Sequence, residues 1–148
     1  MSETYMKEAL RLAREAYEMG EIPVGAVVVK DGEIIGRGHN LRESAHSAVA
    51  HAEVLAIEQA CKKLGNWRLS GCVLYVTMEP CPMCAGALIN SRIDRVVFGC
   101  KDRAAGCLGS VINFNRYPFN HAFAAESGVC EEECAELLVR FFEDKRKK

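Results

Sequence analysis

The stretch VLYVTMEPCPMCAGALINSRIDRVVFG, residues 73–99, holds the strand–helix–strand unit on which the fold turns. Val73 to Met78 is an apolar, β-branched and aromatic run of the length of a buried strand. Pro82 then stands in the first turn of a helix, where its missing N–H is harmless, and this helix is expected to reach Arg92. Val96 to Gly99 forms a second short strand. Strands joined through a helix are expected to be parallel, because the crossover returns the chain to the same end of the sheet.

Outward from this unit the pattern stays regular. A helix is expected from about Ala50 to Leu64, with residues 39–50 as a loop before it. Ile22 to Val29 is a nearly continuous apolar run, followed by Asp31-Gly32 and a second run from Glu33 to Gly38, which reads as a hairpin. Met6, Leu10, Ala13 and Tyr17 recur at helical spacing over residues 3–19, and Gly20 ends that helix. Beyond the unit come a loop over residues 100–120, a short strand near 122–126 and a last helix over 131–144. Glu131-Glu132-Glu133 place favourable charge at the start of that helix. No repeat, low-complexity stretch or linker interrupts the chain. The order of elements predicts an α/β sheet with helices on both faces and the hairpin at one side.

Composition narrows the function. The 148 residues are 49% hydrophobic and 26% charged, values of an ordinary globular chain of one domain. No apolar run nears the ~18 residues of a membrane span. Met1-Ser2-Glu3-Thr4 lacks the basic and apolar regions of a secretory signal, so a cytoplasmic protein is expected. Eight cysteines are fewer than the ~8–10% of a disulfide scaffold, and in a reducing compartment they point to metal binding or buried thiols. A net charge of −1 gives no global nucleic-acid footprint, so any RNA must be held by local patches. Lys62, Lys63 and Arg68 form one basic group and Lys145-Arg146-Lys147-Lys148 another; taken alone, each reads as solvated surface.

Chemistry concentrates in His51-Ala52-Glu53 and Pro80-Cys81-Pro82-Met83-Cys84. Cys81 and Cys84 sit at a helix start three residues apart, so both sulfurs can face one point, and free N–H groups there favour thiolates. By itself such a pair leaves a redox couple or half of a structural zinc site open. No second Cys-x-x-Cys completes a zinc ribbon, and the partner is instead His51, also at a helix start. Zinc held by one imidazole and two thiolates keeps a fourth position open, the catalytic pattern, and its water reaches a pKa near ~7. Glu53, two residues from His51, can reach that water without being a ligand and pass protons.

His-x-Glu with Pro-Cys-x-x-Cys is the known signature of zinc nucleobase deaminases. Through it the chain resembles the cytidine deaminase-like superfamily and, more closely, the bacterial tRNA-specific adenosine deaminases. The resemblance runs through Ile22-Pro23-Val24-Gly25-Ala26, Gly38-His39-Asn40, Asn66-Trp67-Arg68-Leu69, Ser91 to Gly99, Gly109-Ser110, Phe119-Asn120-His121 and Phe141-Phe142. It implies a three-layer α/β/α fold with a central mixed five-stranded sheet, spanning residues 1–148 as one deaminase domain. It implies hydrolytic conversion of adenosine to inosine at the wobble position of a tRNA anticodon, usually of an arginine tRNA. By the same resemblance His51, Cys81 and Cys84 would bind one zinc per subunit, Glu53 would shuttle protons, and Asn40, Asp102 and Asn120 would contact the flipped nucleotide. A homodimer is implied, with Phe141, Phe142 and Arg146 of the last helix holding the anticodon loop by stacking and phosphate contact. Cys107, Leu108 and Met78 depart from the commoner family pattern without touching the zinc set.

Bland roles account for the remaining candidates. His39, His46 and His121 are not expected as metal ligands; His39, next to Asn40, either lines the pocket or makes a loop hydrogen bond, and Asn40 could equally cap its loop. Cys61 and Cys72 are expected as small buried hydrophobes, and Cys100, Cys107, Cys130 and Cys134 as packing residues unless all four converge on a second metal. The competing functions are a free base or nucleotide deaminase (guanine, cytosine or deoxycytidylate) with the same zinc chemistry, and a non-catalytic partner subunit. Glu53 argues against the latter, which has no need of a proton shuttle.

Overall fold

In β1 (Gly25–Lys30), Ala26 and Val28 face one side of the sheet and Val27 and Val29 the other, and all four are buried. A strand apolar on both faces needs cover on both, and the remaining elements supply it. The computed structural model describes residues 2–147; Met1 and Lys148, the last residue of the basic tail, lie outside the described residues. Helix α1 (Ser2–Glu18) is followed by β1, β2 (Glu33–His39), α2 (Ala52–Leu64), β3 (Cys72–Met78), α3 (Pro82–Asn90), β4 (Arg95–Cys100), β5 (Ala124–Ser127) and α4 (Glu131–Arg146). The sheet order is β2-β1-β3-β4-β5. β1 is antiparallel to β2 and β3, whereas β3, β4 and β5 are parallel, so the sheet is mixed as the resemblance implies.

Helices α2 and α3 bury Ala52, Ala56, Ile57, Ala60, Leu88 and Ile89 against the Ala26–Val28 face. Helices α1 and α4 bury Met6, Leu10, Cys134 and Leu138 against the Val27–Val29 face. This is the three-layer α/β/α arrangement. The close approach of α2 to β2 requires glycine at 38, where a Cβ would lie 2.5 Å from the Ala52 carbonyl oxygen. The Asp31-Gly32 turn is present, with both residues at positive φ (50° and 78°), the twist that a two-residue hairpin demands.

Two connections have features the simple expectation does not contain. β2 and β3, joined through α2, run parallel as expected but are not neighbours, because β1 lies between them and is antiparallel to both. β4 and β5 are parallel with no α-helix between them, only residues 101–123 with a short 3₁₀ turn at Phe114–Arg116. That crossover is long enough to return the chain without a helix, which frees it to line a site. β5 begins two residues later than expected, and all four of its residues are exposed, so it carries little of the alternation by which strands are read.

An ion-pair cluster ties α1 to β2. Glu8 accepts from Arg11 Nε at 2.7 Å and from Arg37 Nε at 2.9 Å. The Arg11 hydrogen bond, helped by Arg37 and opposed by burial, pulls the Glu8 carboxyl from 4.5 down to about 2. A carboxylate with a depressed folded pKa adds stability above its unfolded value and loses it as pH falls through the folded one. Glu8→Gln is therefore expected to lower the urea midpoint at pH 7 and to flatten the acid decline between pH 4.5 and 2. Parallel wild-type and variant curves over that range would show that the cluster adds nothing.

Candidate active site

Helices α2 and α3 begin beside one another, and each is preceded by an extended residue with a side chain that does not cap its own helix. His51 (φ −86°, ψ 151°) precedes α2, and Cys81 (φ −77°, ψ 176°) precedes α3. Their side chains are thus free to meet across the gap. His51 Nδ1 lies 3.6 Å from Cys81 Sγ and 3.5 Å from Cys84 Sγ, and the three ligand atoms are all within 4.8 Å of one another. A tetrahedral zinc holding nitrogen at about 2.0–2.1 Å and sulfur at about 2.3 Å sets them about 3.6 Å apart, so the donor set and its spacing fit that ion. Cys100, Cys107, Cys130 and Cys134 do not converge on a second such group among the described residues. Cys100 and Cys134 pack in the α1/α4 core, and Cys72 is fully buried, while Cys61 is only half-buried.

The electrostatics of the cluster suit a cation. The hydrogen bond from Cys84, with the backbone N–H groups of Cys84 and Met83, draws the Cys81 thiol down to about 5 against the effect of burial. The same bond and burial push the Cys84 thiol up, since it donates the shared proton. Burial raises the Glu53 carboxyl to about 7, and Glu53 also reaches Cys84 by a hydrogen bond. Only 4% of Glu53 is exposed, so its proton exchanges with the cluster and its cavity rather than with bulk water.

Beside the cluster opens a cavity of about 390 Å³ lined by Asn40, His51, Glu53, Cys81, Asp102 and Phe142, among others. Asn40 is 7% exposed, and its Oδ1 accepts the Arg42 N–H at 3.3 Å. Asp102 Oδ1 accepts from Ala104 N at 3.0 Å and Ala105 N at 3.2 Å, folding the start of the β4–β5 connection inward. Asn120 is exposed and does not line this cavity. Phe141 needs correction as a stacking residue: it is 6% exposed and meets Tyr17 edge-on at 5.8 Å, holding α4 on α1. Phe142, one position on and 44% exposed, reaches the cavity instead.

None of the histidines outside the cluster lines the cavity, and His39 ends β2 with Nε2 3.7 Å from Glu15 Oε2. His39 Nδ1 is 3.2 Å from the Asn40 carbonyl, and His121 Nε2 is 2.7 Å from that of Ile93. His46 is exposed at positive φ. Lys62 and Lys63 occupy the last turn of α2, the whole helix away from His51, and Arg68 stacks on Trp67 at 4.9 Å. That basic group is remote from the cavity.

Two buried carboxylates escape a reading of the sequence. Glu21, 1% exposed, accepts from Ser44 N and Ser44 Oγ, each at 2.6 Å, and from Glu43 N at 3.1 Å, pinning the loop that follows Asn40. Burial alone raises it, but these donors outweigh burial and keep it below the usual carboxylate range. Glu79 does the same for the opposite wall. Each borders an apolar strand run, as the exposed Glu33 at the start of β2 also does, so position alone does not mark them.

A deaminase of the zinc-dependent class is what this fold, donor set and buried carboxylate define. Residues 1–100 match the family model of the cytidine and deoxycytidylate deaminase zinc-binding region. The chain is 55% identical over 147 residues to the tRNA-specific adenosine deaminase of Bacillus subtilis, covering 99% of this chain and 91% of that one. It is 48% identical to the one from Aquifex aeolicus, covering 97% and 95%. A solved structure from studies of A-to-I editing by tRNA:A34 deaminases superposes with a TM-score of 0.89 at 43% identity, covering 91% of this chain and 99% of the other. Guanine deaminase from Bacillus subtilis gives 0.64 at 36% identity, covering 80% and 86%. The chain belongs to the tRNA-specific adenosine deaminases, within the cytidine and deoxycytidylate deaminase family.

Proposed function

We infer that this protein hydrolyses adenosine to inosine at the wobble position of a tRNA anticodon. The observation that carries the reading is the joint presence of the His51–Cys81–Cys84 cluster and Glu53 in a chain 55% identical, over nearly its whole length, to a tRNA-specific adenosine deaminase. His51, Cys81 and Cys84 would hold one zinc per subunit, and the metal, when bound, would supply the acidity that activates water at neutral pH. As the water oxygen bonds to the amino-bearing ring carbon, Glu53 takes one of its protons and delivers it to the adjacent ring nitrogen. Glu53 then takes the proton of the new hydroxyl and gives it to the amine, so that the C–N bond breaks, ammonia departs and the carbonyl of inosine forms; adenosine and water balance inosine and ammonia. One buried carboxyl carries both protons in turn, and burial raises it to about 7, where it can both accept and give at neutral pH.

Substrate recognition falls to the cavity walls. Asn40 and Asp102 contact the extruded nucleotide from inside, Asn120 contacts it from the exposed loop outside the cavity, and Phe142 stacks a neighbouring base at the mouth. Arg42, also at the cavity, and Arg146 near the end of α4 supply phosphate contacts. The anticodon loop is already single-stranded, which lowers the cost of presenting the base. One deaminase domain over residues 1–148 acts as a cytoplasmic homodimer on an arginine tRNA. No helix among the described residues is long and apolar enough to cross a membrane.

The reading is tested by incubating zinc-loaded protein with an anticodon stem-loop bearing adenosine at the wobble position, beside free adenosine, guanine, cytosine and deoxycytidylate. Inosine is expected in the stem-loop alone. Turnover of a free base with the stem-loop untouched would make the protein a salvage enzyme.

A further inference from the structure

Glu79 follows β3 and stands two residues before Cys81, and it lines the same cavity, yet its carboxylate is hydrogen-bonded to the β4–β5 connection. It is 3% exposed. Oε1 accepts from Asp102 N at 3.1 Å and from the Ser110 hydroxyl; Oε2 accepts from Leu108 N at 3.0 Å and Ser110 N at 3.1 Å. Backbone bonds run beside these, from Glu79 N to Cys100 O and from Cys107 N to Pro80 O, both 2.9 Å. Glycine at 106 leaves room for the carboxylate, since a Cβ there would lie 2.4 Å from Glu79 Cδ. All four donors are neutral and all lie in residues 102–110, the segment that folds Asp102 into the cavity.

We propose that Glu79 is a positioning residue that fixes the 102–110 loop against the strand leading to the metal cluster, and so sets where Asp102 meets the substrate. The proposal rests on the anticodon reading for its substrate. An ionised carboxylate accepts on both oxygens, whereas an amide turns one of them into a donor. In Glu79→Gln that NH₂ faces a backbone N–H whichever way the amide points, because each oxygen already receives one. The loop must then move away while residues 79–81 keep their backbone course.

The test compares wild type, Glu79→Gln, Ser110→Ala, Asp102→Ala and the Glu79→Gln/Asp102→Ala double variant for zinc content and for kcat/KM on the anticodon stem-loop. Glu79→Gln is expected to keep its zinc and lose about 10²-fold, the cost of a misplacement near 1 Å. Ser110→Ala, which only removes one hydroxyl donor, is expected to keep its fold and lose about tenfold. The double variant is expected to be no worse than Glu79→Gln alone, because a displaced loop has already withdrawn Asp102. Additive losses, or a Ser110→Ala enzyme as fast as wild type, would overturn the proposal. A wild type that ignores the stem-loop overturns the anticodon reading instead, and amide exchange then decides the clamp: Glu79→Gln must speed exchange at Leu108 and Ser110, and unchanged protection there sinks it.

Discussion

Cys84→Ala is expected to empty the metal centre and abolish turnover. Cys84 is fully buried and its sulfur lies 3.5 Å from His51 Nδ1, so its loss removes one of the three donors that converge there. Losing even an outer partner of a metal ligand costs 10–100-fold in affinity, so loss of one of three protein ligands is expected to exceed ~10²-fold. The variant also loses the stabilisation that binding lends the folded state, which is about 2.7 kcal/mol when metal stands at a hundredfold its Kd. Metal analysis of the purified protein, with thermal unfolding before and after a chelator, checks both points. Wild type should lose stability on chelation and the variant should be indifferent. A fully zinc-loaded variant would place the metal elsewhere.

Glu53→Gln is expected to keep zinc and fold but to lower kcat by at least ~10²-fold with little change in KM. Glutamine matches the volume and keeps a hydrogen bond within reach of Cys84, so the buried site is not left with a hole. What it cannot do is carry a proton. Because burial holds the Glu53 carboxyl near 7, the native group changes state readily at neutral pH, and the amide removes that property alone. Single-turnover kinetics on the stem-loop separate the chemical step from binding. Zinc loss in the variant, or unchanged turnover, would show that Glu53 serves the metal or the fold rather than the proton.

The order of elements and the zinc donors were legible because they follow from local chemistry. A strand apolar on both faces, a proline at a helix start and a Cys-x-x-Cys at the same place are properties of neighbouring residues, and His51 at a second helix start completes the set. The cavity walls were harder to read. Asn40 and Asp102 reach the cavity, but through loops whose course depends on Glu21 and Glu79, and neither carboxylate differs in sequence from a solvated one. Asn120 and Asn40 look alike as loop asparagines; Asn40 is 7% exposed beside the cluster, and Asn120 lies outside the cavity. Phe141 and Phe142 are adjacent on α4, where a rotation of about 100° per residue sends one into the core and the other to the rim. Which faced which depended on where α1 packs.

By itself, then, the sequence determined the α/β succession, the hairpin, and the His-x-Glu and Cys-x-x-Cys motifs that supply the candidate donors and proton carrier, since each rests on spacing within one turn or one strand. Only the tertiary structure decided that β1 inserts between β2 and β3, that the helix-free crossover to β5 forms a cavity wall, and that two buried carboxylates hold the loops on either side. Those outcomes depend on contacts between residues far apart in the chain, where burial and hydrogen-bond satisfaction, not local propensity, select the conformation.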